Sequence, residues 1–359
     1  MAAAYRTTGA NTPFFALDHF DLLRQQSLDN IPRYLFRISD DKSPGITTVN
    51  EVASAAAAAA QGDDSEPLPD VFLQDRKEAA RLLNAHLRWD CKRRPNETPL
   101  CNLVSWTSSL LFALQYGVYR RNCWRETWDE VRLLVVDTRR LGPWVFCRDI
   151  QVIDAYRTWE DAPGTLNLDK LWDLRKGAFC FGEYLSQGRL TLRPGAASQV
   201  TLGQLVGSGL FSICPGLSDQ ASWKKWANRV VELRQQFWRP MPQLQEGDLD
   251  KVRDIASHFE GLSAPMMTFL LGISDFGLNG GGNLLYEALG AGRVEGLQPW
   301  ELGPDLGEKM PELGRCFKLL KDLEAAAHKT AGRQHVGFAD EDEDDRGLVE
   351  GLGKLGLGA

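Results

Sequence analysis

The pattern of apolar residues changes once along this chain, near residue 199, and that change limits its possible folds more than any other feature. Before it, short runs of large apolar and β-branched side chains alternate with helical stretches, as at 31–38, 131–136 and on both sides of Gly188 within 178–192. After it, apolar residues recur at spacings of three and four, the period of a helix that buries one face. The expectation is an α+β unit over 28–196, a split mixed or antiparallel sheet with flanking helices, followed by an all-helical region over 199–335. The 359 residues suffice for about two domains of ~150 residues each and for a sizeable core.

Within the first part, 31–38 alternates around Tyr34, Phe36 and Ile38 and closes on Ser39, Asp40 and Asp41, a strand followed by a turn. Residues 75–89 form a helix, with acids early and Arg88 late. A strand at 103–105 runs into a helix at 110–119, and 131–136 and 145–152 are further strands. The alanine-rich 52–60 and the acidic, proline-bearing 61–70 bury too little apolar surface to offset ordering entropy, and 52–70 is expected to be a mobile insertion. In the second part, 222–239 places Trp223, Trp226, Val230, Leu233 and Phe237 on one helical face, where tryptophans pack. Helices follow at 251–259, 283–289 and 310–328. Residues 1–27 read as an arm with a short helix near 17–26, and 336–359 as a disordered acidic, glycine-rich tail.

Charge and cysteine usage narrow the partners. Forty-one Lys and Arg against 48 Asp and Glu leave a net charge of −7, which demotes nucleic acid as a general partner while leaving room for a local basic patch. The seven cysteines include no pair closer than ten residues, so no zinc-knuckle spacing exists and the thiols are expected reduced. No basic-then-apolar leader and no run of ~20 apolar residues stands in the chain, and the expected setting is intracellular, cytoplasmic or nuclear, with no membrane partner. The five histidines have no ligand spacing, and no metal is expected. The motifs GxSxG, HExxH, GxxxxGK[ST] and GxGxxG are all absent. Gly280-Gly-Gly282 before a helix is a weak phosphate signal that a flexible helix start explains as well.

What chemistry remains is spread over three strands. Arg37 closes the first, Ser105 and Thr107 stand where a strand meets a helix, and Glu183 opens a late strand. An arginine suits a diphosphate or ribose, hydroxyls fix a sugar and a carboxylate, and the carboxylate stabilises a developing oxocarbenium cation. Each residue also has a structural reading: Arg37 paired with Asp40 or Asp41, Ser105 capping the following helix, Glu183 on a solvent-facing strand edge.

Over about 30–192 the sequence resembles an uncharacterised fungal domain family similar to the ADP-ribosyltransferase superfamily. The matching stretches are Tyr34-Leu-Phe-Arg37, Ala85-His-Leu-Arg-Trp89, Leu103-Val-Ser-Trp-Thr-Ser108 into Phe112-Ala113, Val135-Val-Asp-Thr138 and Gly182-Glu-Tyr-Leu-Ser-Gln-Gly-Arg-Leu190. In the superfamily's Arg–Ser–Glu branch, an arginine on the first strand, a Ser-Thr-Ser strand and a late glutamate grip NAD. The resemblance therefore implies Glu183 as the catalytic residue and Arg37, Ser105 and Thr107 as NAD-binding residues, with Ser105 aligning Glu183. Two departures stand out. Trp106 replaces a small residue and puts an indole beside the implied nicotinamide pocket, and Phe181 stands where arginine-modifying members carry a second glutamate. The segment 159–180, with Trp159, Trp172 and Arg175, is the implied target-recognising loop, while His86 receives no role.

By this resemblance the chain is a NAD-dependent mono-ADP-ribosyltransferase, with NAD as substrate and an acceptor that is a protein, a nucleic acid or a small molecule. Two alternatives stay open: a NAD glycohydrolase with water as acceptor, and an inactive binding module. A scaffold whose purpose lies in the helical half, with a protein partner there, is a third.

Overall fold

A computed structural model describes Phe15 and residues 30–60, 68, 70–88, 100–160, 167–278, 297–303 and 309–341, with side chains to 326. The sequence patterns at 17–26, 61–67, 280–282, 283–289 and 342–359 lie outside the described residues, while 336–341, expected to open a disordered tail, continue the last helix. The structure is α+β, with antiparallel sheets and helices throughout.

The principal sheet has six strands in the order β6-β7-β4-β1-β5-β9. These are β1 (Tyr34–Ser39), β4 (Leu103–Thr107), β5 (Arg132–Asp137), β6 (Cys147–Arg148), β7 (Glu183–Gln187) and β9 (Ala197–Thr201). Every pairing in it is antiparallel. A smaller sheet joins β2 (Ile46–Thr47), β3 (Glu51–Ala53) and β8 (Arg189–Thr191). The chain crosses from β7 to β8 at Gly188, whose φ of +64° is the left-handed region that glycine adopts without a Cβ clash. That crossing is the bend expected within 178–192.

Helix starts follow the local sequence. Asp75 caps α2 (Arg76–Leu87) by accepting from Lys77 N and Glu78 N, and Ser109 caps α3 (Leu110–Trp124) by accepting from Phe112 N. The short α1 (Ala55–Ala59) is capped by Ser54. α4 (Asp149–Tyr156) and α5 (Leu168–Lys176) pack with α2 around Cys147, Leu185 and Leu103 at one end of the sheet.

Several expectations need correction. Residues 52–60 are not a loose insertion: Val52 pairs with Leu190 and is buried, and α1 follows directly. The strand expected at 145–152 ends at Arg148 and becomes α4, because Asp149 sits in the first helical turn, where a carboxylate favours the helix. The helix expected at 222–239 is a 3-10 turn at Gln220–Ser222, α8 (Ala227–Arg234) and a 3-10 turn at Gln235–Trp238. The boundary expected between 196 and 199 falls inside β9, the edge strand.

Nor do the helices beyond β9 form a separate core. Besides α6 (Leu202–Gly207), α7 (Leu210–Ile213) and α8, they include α9 (Glu246–Ser257), α10 (Ser263–Ile273) and α11 (Pro311–Glu341). Phe269 of α10 meets Phe36 and Tyr34 of β1 edge-on, at centroid distances of 5.1 and 6.2 Å. Such a buried phenylalanine contributes roughly 1.5–3 kcal/mol by area and more through the edge-to-face contact. One apolar cluster therefore runs from Phe36, through α3, to Leu320 of α11. On the sheet's other face, Leu35, Trp106, Leu134 and Tyr184 pack against Val52 and Leu190 of the small sheet. No described helix is long and apolar enough to cross a membrane.

Candidate functional site

The sheet holds an opening at its centre. β1 and β4 are in register only at Phe36 and Thr107, so the later half of β1 and the earlier half of β4 part company. Arg37 spans the gap: its Nη1 donates to Ser105 O at 2.9 Å and its Nε to Thr47 Oγ1 at 3.0 Å. Burial of the guanidinium, with Arg120 also nearby, brings the Arg37 pKa down to about 10.

A cavity of about 370 Å³ fills the fork. Its floor is β1 and β4, and one wall is Phe112, Tyr116 and Trp226, with Trp124 near the rim. Phe112 stacks on Phe181 at 4.4 Å and lies nearly parallel to Tyr116 at 6.3 Å, so the wall is a continuous aromatic surface. The charged side chains among the described lining residues are Arg37, Lys42, Arg120 and Arg175 against Glu183, with His86 beside them. Cations outnumber carboxylates in the lining, but Arg120 is tied to Asp40 by two contacts of 2.5 Å, Lys42 to Glu126 at 2.6 Å and Arg175 to Glu183.

All four residues singled out in the sequence reach this cavity. Strand order explains why: β7, β4 and β1 are neighbours, which places Glu183 beside Thr107 and Thr107 beside Phe36. Glu183 is only 7% exposed on an inner strand, so the reading as a solvent-facing edge fails. Arg37 does not pair with Asp40 or Asp41; those acids hold Arg120 and Arg132. Ser105 does not cap the following helix, which Ser109 does.

The hydroxyls are not deployed as the resemblance implies. Ser105 Oγ lies 2.8 Å from His86 Nε2 and is in register with Leu185 instead of Glu183. Thr107 Oγ1 donates to Phe181 O at 2.5 Å and accepts from Ser109 N at 3.0 Å, bracing the entry to β7. The indole of Trp106 points to the opposite face by strand alternation. There its Nε1 donates to Ser186 Oγ at 2.9 Å and its ring meets Phe146 edge-on, while Trp106 remains one of the residues that line the cavity.

Four further side chains at the site, Arg175, Asp149, His86 and Cys101, are given no part in holding NAD by the sequence. Arg175 of α5 pairs with Glu183 and also lies 3.4 Å from Asp149 Oδ2. Burial pushes the Asp149 carboxyl up to about 7, with Arg175 opposing and Glu183 reinforcing the shift. A second cavity of about 270 Å³ lies behind Arg175, lined by Asp149, Trp172 and Lys176 among others. His86 Nδ1 lies 3.0 Å from Cys101 Sγ, which makes a Cys101–His86–Ser105 row along the first cavity. The segment 159–180 is largely helical where described: Trp172 is held between Arg157 and Lys176, and Trp159 under Arg76. No sequence spacing marks Arg175 or Cys101, since each reaches its partner only through the fold. Among the described residues no group of three or more His, Cys, Asp or Glu could hold a metal ion.

Residues 30–190 match the model of a domain of unknown function, DUF7587, which spans β1 to β8 and the whole four-residue set. No curated protein and no solved structure matches the chain.

Proposed function

We propose that the protein cleaves the nicotinamide–ribose bond of NAD and transfers ADP-ribose to an acceptor. The observation that carries this reading is the convergence of Arg37, Ser105, Thr107 and Glu183, from three adjacent strands, on one cavity with an aromatic wall. Its volume of about 370 Å³ falls at the lower end of the range for small-molecule clefts. The chemistry of the lining suits the ligand: Arg37 and Lys42 for a diphosphate, Phe112 and Tyr116 for a ring to stack on, Glu183 for positive charge on a ribose.

Glu183 acts by electrostatics, stabilising the cation that grows at ribose C1′ as neutral nicotinamide departs. Its carboxylate must first be shared with or released by Arg175, and Asp149, already 3.4 Å from the same guanidinium, is the alternative partner. Thr107 holds the backbone of Phe181, two residues before Glu183, and so fixes where the carboxylate emerges. His86 and Ser105 form the side of the cavity across β4.

The existing Arg175–Glu183 pair favours one other reading, a binding module in which the carboxylate is permanently neutralised. Titration of NAD by calorimetry, with nicotinamide release followed in the same sample, separates the two. Release that falls by about 10²–10³ in Glu183→Gln supports catalysis. Binding without release assigns the module, and no binding at millimolar NAD refutes both. Release with no acceptor added, at a rate unchanged by candidate acceptors, assigns a glycohydrolase instead.

A further inference from the structure

Cys101 has no part in the chemistry above, and with His86 and Ser105 it forms a row that has the geometry of an activated thiol. Cys101 Sγ is contacted by His86 Nδ1 at 3.0 Å and by the backbone N–H of Leu103 at 3.4 Å. Both are donors toward a sulfur anion when the imidazole is protonated, whereas the thiol itself donates to Leu103 O at 3.9 Å. The far nitrogen of the ring, Nε2, lies 2.8 Å from Ser105 Oγ, which fixes the plane of the imidazolium. Of the four cations lining the cavity, Lys42, Arg120 and Arg175 are paired with Glu126, Asp40 and Glu183, and Arg37 is the one with no carboxylate partner among the described residues. Cys101 is half-buried and lines the cavity, so a small reagent can reach it.

The other described thiols lack this setting. Cys147, Cys180, Cys214 and Cys316 are buried. Burial pushes Cys214 and Cys316 up to about 12. Cys123 is exposed on α3 and serves as an internal reference for an ordinary accessible thiol.

We propose that Cys101 is a modification site for peroxides, with His86 as the group that takes and returns its proton. The thiol proton passes to His86, and the thiolate attacks one peroxide oxygen. The S–O bond forms as the O–O bond breaks, and the departing hydroxide or alkoxide takes the proton back from His86. Sulfur is oxidised to the sulfenic acid and the peroxide is reduced to water or an alcohol. The sulfenic acid then stands in the cavity wall, where it displaces the His86 contact and alters what the cavity accepts. This site does not depend on the NAD reading and survives its failure.

The test uses the full chain and peptide mapping by mass spectrometry. With iodoacetamide at pH 6.5, Cys101 should alkylate about tenfold faster than Cys123 in the native protein. His86→Gln should bring Cys101 down to the Cys123 rate. After one equivalent of hydrogen peroxide, dimedone should label Cys101 first, and prior alkylation of Cys101 should abolish that label. Equal alkylation rates for Cys101 and Cys123 in the unmodified sequence would overturn the proposal without recourse to any variant. So would dimedone labelling of Cys123 ahead of Cys101, or an unchanged Cys101 rate in a folded His86→Gln protein.

Discussion

Removing either partner of the Arg234–Glu312 pair should destabilise the whole molecule, including the sheet that lies far from both in sequence. Arg234 ends α8 and Glu312 begins α11, and both are almost fully buried. The guanidinium donates to the carboxylate through Nε and Nη2, at 2.7–3.2 Å, and through Nη1 to Cys180 O at 2.6 Å. Ser109 Oγ, the cap of α3, donates to the same carboxylate at 2.6 Å. One ion pair thus joins two C-terminal helices to the helix beside the cavity and to the approach to β7. Glu312→Leu leaves a buried guanidinium without its counter-charge, and such losses cost about 3–5 kcal/mol. Arg234→Met does the same to the carboxylate. The double variant removes both charges and leaves only the Ser109 hydroxyl and the Cys180 carbonyl short of a partner, at about 1–3 kcal/mol each. Its loss should therefore lie near that of one single variant and well below their sum. Urea unfolding followed by tryptophan fluorescence and by far-ultraviolet circular dichroism measures this, and both signals should report one transition. Single-variant losses below about 1 kcal/mol, strict additivity, or two separate transitions would refute the reasoning that the halves share one core.

Other perturbations probe the site more locally. Gly182 has φ of +57°, and a Cβ there would lie 2.0 Å from Ser108 Oγ while hydrogen bonds pin both flanking chains; Gly182→Ala should cost at least about 2 kcal/mol in urea unfolding and weaken ligand binding in the cavity. Trp106→Phe should cost about 1–3 kcal/mol in urea unfolding, through a void and a partnerless Ser186 hydroxyl. The Asp149 carboxyl, raised to about 7 by burial, binds its proton more tightly folded than unfolded. Its contribution to stability is then full at acid pH and is lost as pH rises from about 4 through about 7. Asp149→Asn lacks that loss, so its urea midpoint relative to the unsubstituted protein should be higher at pH 8 than at pH 5; no change in the difference would count against the shift.

Local signals carried well where burial and chain direction agree. The strand expected at 31–38 forms as Tyr34–Ser39, and the helix starts near 75 and 110 and the bend near Gly188 each depend on neighbours within a few residues and stand where the pattern places them. Failures occurred where tertiary contacts decide. Residues 51–53 look like the edge of an insertion, yet they pair with β8, a partner more than 130 residues away. The apolar run 145–152 satisfies a strand and a buried helix equally, and Asp149 in the first turn favours the helix. The helical region expected from 199 begins later, because β5 recruits 197–201 as an edge strand.

The candidate site divides along the same line, and the division has a physical cause. Arg37, Ser105, Thr107 and Glu183 stand out in sequence as polar residues in the short apolar runs that form β1, β4 and β7, with Thr107 and Glu183 at strand ends. What those groups do is set by Arg175, Asp149, His86 and Cys101, which arrive from α5, α4, α2 and the chain before β4. A buried carboxylate is defined by its counter-ion, since an unpaired charge there would be protonated or expelled. Glu183 in this fold is therefore one member of an Arg175–Glu183–Asp149 group, and Ser105 one member of a Ser105–His86–Cys101 row. Reading the four strand residues alone predicts a serine that aligns the glutamate; reading them with their partners gives two separate networks on the two sides of one cavity. The separation is what makes them distinguishable by experiment, because changing His86 leaves the Arg175–Glu183 pair in place, and changing Asp149 leaves the thiol row untouched.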